Sequence, residues 1–416
     1  MQWFKRIYLL YFFGFLLNFR PIDPILYKYF LVHNNLTNYE VGYKILPIVT
    51  YSSTVNFVLM FFLSGLCCFK VLLAISSVSA ILSTCIRAWS YSYEEVVLSE
   101  VFRGTSSATE IAYYIYVYSY YDVEHYQRET AFVRIFALLG KALSAMLAQH
   151  SLSQKWLRYE QLEYVHLAAV ALATISSFLL PAAKENVYEL SPSLSANKNC
   201  SYKIKETISN FMANFFLSFN QNYIARWSFW FVWSIWSYNL ISTFIQPSWE
   251  KLHRSAYNGH VEACVAILSF FAVLLVAFRN INWKKRTVII MPLLTGFQYI
   301  ILLSGMAFSN GFILFNYISY IMFAVIHFFV VTAISAEIAK TQLKYCFGLV
   351  FGFLYMTAGI LNTVMVCVVN DSIAPYKFKT EGQFFVYFIV FVVIFVVFFA
   401  ASEIKKRIVT VVSRHQ

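Results

Sequence analysis

Apolar runs of about 20 residues recur along the whole chain, each long enough to cross a bilayer core of roughly 30 Å. They lie near residues 4–19, 43–64, 69–89, 95–121, 129–149, 161–181, 227–248, 258–278, 287–307, 311–339, 345–369 and 382–402. The apolar positions are continuous rather than alternating, so the runs predict helices and not barrel strands. The longest polar interruption, residues 183–225, is rich in Ser, Asn and Lys and leaves six runs on each side. The pattern therefore predicts an all-α polytopic membrane protein. It has a six-helix half over 1–182, a central loop over 183–225, a second six-helix half over 226–403 and a tail over 404–416. The N-terminal stretch MQWFKRIYLLYFFGFLLNFRP has the basic start of a signal peptide but no small-residue cleavage site, and reads as the first span.

Composition agrees. Of 416 residues, 60% are hydrophobic and only 12% charged, whereas soluble domains carry about a quarter charged residues. The net charge of +12 does not call for nucleic acid, because Lys and Arg collect in the cytoplasmic loops of membrane proteins. Lys5, Arg6, Lys70, Arg128, the central-loop lysines, Lys284 to Arg286, Lys340 and Lys405 to Arg407 fall on one face of the predicted topology. That places both termini and the central loop in the cytoplasm. The sequons at Asn35 and Asn370 then lie in outer loops, where glycosylation is expected, and the one at Asn199 lies inside. The seven cysteines show no CxxC pair and no His partner at metal spacing, so neither a disulfide framework nor a metal site is expected.

Twelve spans in two halves is the layout of major-facilitator transporters, which hold substrate near the midplane between the halves. Ionisable residues inside spans line cavities or pair with one another. Here they are Glu100, Arg103, Glu110, Arg134, Lys141, Glu262 and Glu337. Glu100, Arg103 and Glu110 share one broad helical face, because a helix turns once every 3.6 residues. In one reading Glu100 pairs with Arg103, and Glu110 with Arg134 or Lys141. In the other, Glu110 faces a cavity and attracts a cation beside Tyr113, since desolvated aromatic faces bind cations. Asp23 follows the first span between Pro21 and Pro24, and is either a loop residue or an acid at the cavity mouth. His260 and His327 are expected to pack through hydrogen bonds.

Several ordered segments resemble the reduced folate and thiamine carrier family, solute carrier family 19. They are Phe19-Arg20-Pro21-Ile22-Asp23-Pro24, Asn35-Leu36-Thr37, Pro47-Ile48-Val49-Thr50-Tyr51-Ser52, Ala108-Thr109-Glu110-Ile111-Ala112-Tyr113 and Glu124-His125-Tyr126-Gln127-Arg128. Tyr257-Asn258-Gly259-His260-Val261-Glu262-Ala263 and Leu349-Val350-Phe351-Gly352 continue the match in the second half. The resemblance implies a plasma-membrane carrier of a water-soluble vitamin, working by alternating access without a cofactor. The features of its thiamine carriers map onto Asp23, Glu110, Tyr113 and Asn239. Its folate carriers have Arg at the position of Glu110 and further basic residues where Ala324 and Asn362 stand here. The thiamine match also departs from the family, because Val49 stands where a tryptophan is expected, while Arg103 and Lys141 are basic at uncharged positions. A pyridoxine-like compound stays open for that reason.

Two other functions compete with a carrier of a thiamine-like cation. One is a folate carrier recruiting its anion through Arg103, Arg134 and Lys141. The other is a vitamin receptor or sensor without net transport. Coupling to a proton through Glu110 or Glu337, or to an anion, is open. No nucleophile and base pair, metal cluster or glycine-rich phosphate loop suggests an enzyme.

Overall fold

The computed structural model describes residues 2–63, 69–181, 222–252, 257–279, 313–342, 347–369 and 382–397, together with Gly296. The sequon at Asn370, the tail, the lysines at 198, 203 and 205 and, apart from Gly296, the expected span over 287–307 lie outside these residues. Among the described residues the chain forms helices and no strand. Seven helices are long and apolar enough to cross a membrane.

The first span differs from the expected helix over 4–19. Helix α1 (Gln2–Leu17) stops, residues 18–25 cross without α-helix, and α2 (Leu26–Val32) resumes. Pro21 and Pro24 account for the break, since a proline has no N–H to give and crowds the preceding turn. Side chains add donors to carbonyls at the end of α1. Asn18 Nδ2 donates to Gly14 O at 3.0 Å and Arg20 Nε to Leu17 O at 2.7 Å. A guanidinium there also suits the negative end of the helix dipole. Asp23 therefore lies between α1 and α2 rather than in a loop beyond the first span, which excludes one of the two readings of this residue.

A π-turn at Glu40–Ile45 leads into α3 (Leu46–Leu63), and α4 (Phe69–Trp89) follows. The fourth span is also divided. Helix α5 (Tyr93–Thr109) starts on a capping box between Ser92 and Glu95, which satisfies two orphan backbone donors. Glu110 is the joint before α6 (Ile111–Tyr116) and a 3-10 turn over Val117–Ser119. Helices α7 (Tyr126–Ser153) and α8 (Tyr159–Leu179) complete the first set. The second set has α9 (Asn222–Leu252), α10 (Asn258–Phe278), α11 (Ile313–Thr341), α12 (Phe347–Val369) and α13 (Gly382–Val397).

The sets meet along two helix pairs, α3 with α12 and α7 with α10. Thr54 Oγ1 donates to Gly359 O at 3.0 Å in the first pair. In the second, Gly259 N donates to Gln149 Oε1 at 3.0 Å, while Gln127 Nε2 donates to Val276 O at 2.8 Å, so the two helices run antiparallel. Helices α1 and α7 are parallel, with Tyr11 against Glu129 and Phe15 against Gly140. The Gln127 end is thus the end where the chain begins.

That end is sealed across the seam. Lys340 Nζ donates to Gln127 Oε1 at 3.1 Å, and the Tyr118 ring lies 5.1 Å from Phe347. Nearer the opposite end, the Gln246 side chain donates to Asp23 O at 2.7 Å and accepts from Tyr27 N at 3.1 Å. A cavity lies between the two closures.

Candidate functional site

The cavity has a volume of about 330 Å³ and is lined from both sets. The break in the first span contributes Asn18, Arg20, Asp23 and Pro24; α5 contributes Arg103; α7 contributes Lys141. From the second set come Tyr238, Asn239 and Gln246 of α9, Glu262 of α10, Tyr320 and Phe328 of α11, and Tyr355 and Asn362 of α12. Irregular backbone at membrane depth is tolerated where it lines such a cavity.

Glu110 does not line this cavity and does not pair with Arg134 or Lys141. It lies behind the break in the first span, with Arg20 Nη2 donating to one carboxylate oxygen at 2.8 Å and Asn18 Nδ2 to the other at 3.0 Å. The joint of the fourth span is thereby fastened to the break in the first. Sequence reading missed Arg20 as its partner because the segment after Leu17 looked like an outer loop. Tyr113 also turns away from the cavity. It is fully buried, its hydroxyl donates to Val133 O at 2.8 Å, and its ring fills the notch beside Gly14. A Cβ added at Gly14 would overlap the Tyr113 hydroxyl.

Asp23 and Asn239 do line the cavity. One Asp23 oxygen lies 4.0 Å from Arg20 Nη1, and the other is buried without a hydrogen-bond partner. Glu262 accepts a hydrogen bond from the Tyr320 hydroxyl at 2.9 Å. Behind Tyr238, the His327 ring stacks at 4.1 Å and its Nδ1 meets Ser234 Oγ at 2.9 Å, which is a packing role. His260 is exposed.

The other charges divide into wall and support. Arg103 lines the cavity but is bonded to Glu100 at 2.6 Å. Glu100 also lies 3.6 Å from Arg87, which in turn meets Glu163 at 2.6 Å. Arg87 and Glu163 are almost wholly buried, and neither stood out in the sequence because each sits near the end of an apolar run. Arg134 stands behind the wall with its guanidinium 4.7 Å from the Tyr114 ring centroid. Lys141 reaches to 5.7 Å from the Phe328 ring centroid. Glu337 is away from the cavity, on Lys340 at 2.6 Å. Asn35 is exposed in the turn after α2.

The sequence profile described as reduced folate carrier matches residues 1–202 and 189–386. The chain belongs to the reduced folate carrier family. Among its relatives, folate-like transporter 2 of Caenorhabditis elegans is 28% identical over 406 residues, covering 93% of each chain. Human thiamine transporter 1 is 25% identical, covering 92% of this chain and 86% of its own. Among solved structures, a proton:xylose symporter of the major facilitator superfamily superposes with a TM-score of 0.65 at 13% identity, covering 94% of each chain. The fold is that of the major facilitator superfamily, and this member of the folate carrier family is a multi-pass membrane transporter of vitamin-carrier type. Its relatives divide between folate and thiamine by name, so the choice between those vitamins falls to the site.

Proposed function

We propose that the protein carries thiamine or a related small cationic ring vitamin across the plasma membrane, with both termini in the cytoplasm, by alternating access at the cavity between the two helix sets. The balance of charge at the cavity carries this reading. The wall residues and the ion-pair chain behind them comprise four cations, Arg20, Arg87, Arg103 and Lys141, against five carboxylates, Asp23, Glu100, Glu110, Glu163 and Glu262. Counting Arg134 behind the wall brings the set to neutrality and leaves no positive surplus. A folate-like dianion would meet one wall cation without an ion pair among the described residues, Lys141, whereas a substrate cation finds Glu262 with no cation in contact and an Asp23 oxygen without a hydrogen-bond partner. Low effective dielectric in a closed cavity makes that difference count. The rings of Tyr238, Tyr320, Phe328 and Tyr355 supply faces for a flat cationic ring.

In this reading Asp23 and Glu262 take the substrate cation, Asn239 orients it, and Glu110 acts through Arg20. The test is uptake of labelled thiamine and labelled folate by cells expressing the full chain, beside Asp23→Asn. Saturable thiamine uptake that the variant loses is the expected result. Uptake of folate alone would overturn the reading and return the search to Lys141 and Arg103. Thiamine binding without accumulation inside the cell would make the protein a receptor instead.

A further inference from the structure

Lys141 is out of place in a cavity that receives a cation. Every other cation on the wall has a carboxylate of its own set, Arg20 with Glu110 and Arg103 with Glu100. Lys141 lies near the Phe328 ring and makes no ion pair among the described residues. Glu262 is its counterpart on the second set. This carboxylate accepts from the Tyr320 hydroxyl and has no cation in contact with it. Lys141 and Glu262 both line the cavity. They stand on facing helices, α7 and α10. Because Gln149 meets Gly259 and Gln127 meets Val276, the residues are about one helical turn apart along the shared axis. Lys141 is thus held across the seam from an acid that it does not neutralise by contact.

An alternating-access carrier must also close around an empty cavity to return. Burying uncompensated carboxylates opposes that closure, because desolvating an unpaired charge is costly. A mobile ammonium on a long flexible stem can approach the acids when substrate is absent and withdraw when it is present. We propose that Lys141 is a tethered counter-ion, standing in for the substrate cation before Glu262 and Asp23 so that the empty carrier can reorient. This role rests on the cationic-substrate reading. It makes Lys141 a residue that permits net transport rather than one that recognises the vitamin.

The test uses the full chain in proteoliposomes with labelled thiamine, measured in two modes. Net uptake runs into empty vesicles, and exchange runs into vesicles preloaded with unlabelled thiamine. The wild-type chain should perform both. Lys141→Gln and Lys141→Met should lose net uptake by about tenfold or more while exchange stays within roughly threefold, because only the empty return needs the counter-ion. Lys141→Arg should keep both modes. Retained exchange also shows that the variants are folded. Equal loss of both modes, or unchanged net uptake in both neutral variants, overturns the proposal. Failure of the wild-type chain to move thiamine in either mode overturns the substrate reading and this role with it. A failure confined to the variants' ratio strikes the counter-ion alone.

Discussion

The two helix sets treat buried charge in opposite ways. In the first set, most buried acids and bases are consumed in contacts, Arg87 with Glu163 and Glu100, Arg103 with Glu100 and Arg20 with Glu110, and Lys141 is the exception. In the second, the cavity wall is mostly aromatic and amide, and its one charged group among the described residues, Glu262, is held by a phenol. Charge in the first set therefore shapes backbone, fastening a broken first span to a jointed fourth. The charge that the second set brings to the cavity, Glu262, has no ion pair among the described residues, while Glu337 is paired with Lys340 away from it. An ionisable residue in a membrane span is thus an incomplete pointer to a binding site, because its value depends on whether a partner has already used it.

The sharpest way to break the contrast is to unpair the first set. Arg87→Met takes the arginine from buried Glu163 and leaves Glu100 with Arg103 alone, and removing one partner of such a buried pair costs about 3–5 kcal/mol. A large fall in folded yield and in melting temperature is expected in detergent. An unchanged melt would mean that the network is solvated. Next comes Glu262→Gln, whose amide oxygen still accepts from Tyr320. Thiamine uptake should drop about tenfold or more, equivalent to roughly 1.4 kcal/mol, with the melt almost unmoved. A melt that falls in step with uptake would place Glu262 among the structural acids.

Glu110→Gln gives a smaller, qualitative shift. It releases the Arg20 charge beside Asp23, so the thiamine KM should rise several-fold, as expected for weakening a charge-assisted bond. Inhibition by an anionic folate should strengthen at the same time. If folate inhibition does not change, Arg20 is not the route by which Glu110 acts. Tyr113→Phe should have the least effect. It removes the hydrogen bond to Val133 O, which is worth about 1 kcal/mol of stability. Uptake that collapses in Tyr113→Phe at normal expression would restore this hydroxyl to the substrate site.

Much of the fold could be read from the sequence because a continuous apolar run of span length has few other uses. The break at residues 18–25 could not. After Leu17 the two prolines look like an ending, and the apolar stretch from Ile25 to Val32 is too short to register as a span of its own. That misplacement hid Arg20, and without Arg20 the partner of Glu110 was sought among Arg134 and Lys141, its neighbours in the next span. The pairing of Glu100 with Arg103 was readable because three residues separate them on one helix. Arg87 and Glu163 come together only through the packing of α4 against α8, which one-dimensional spacing does not encode. Asp23 was readable as one of two alternatives for its segment, Asn239 entered through the family resemblance, and both line the cavity. Tyr113, expected beside a cation at Glu110, packs into the helix interface instead.

Asp23 faces two directions at once. Its carboxylate borders the cavity, and its own backbone carbonyl is gripped by Gln246 from the other side of the seam. Occupancy and closure are therefore registered one residue's length apart. In the proposed carrier, a ligand held by the acid would act on the same residue whose peptide Gln246 grips, with no chain of intermediaries between the halves.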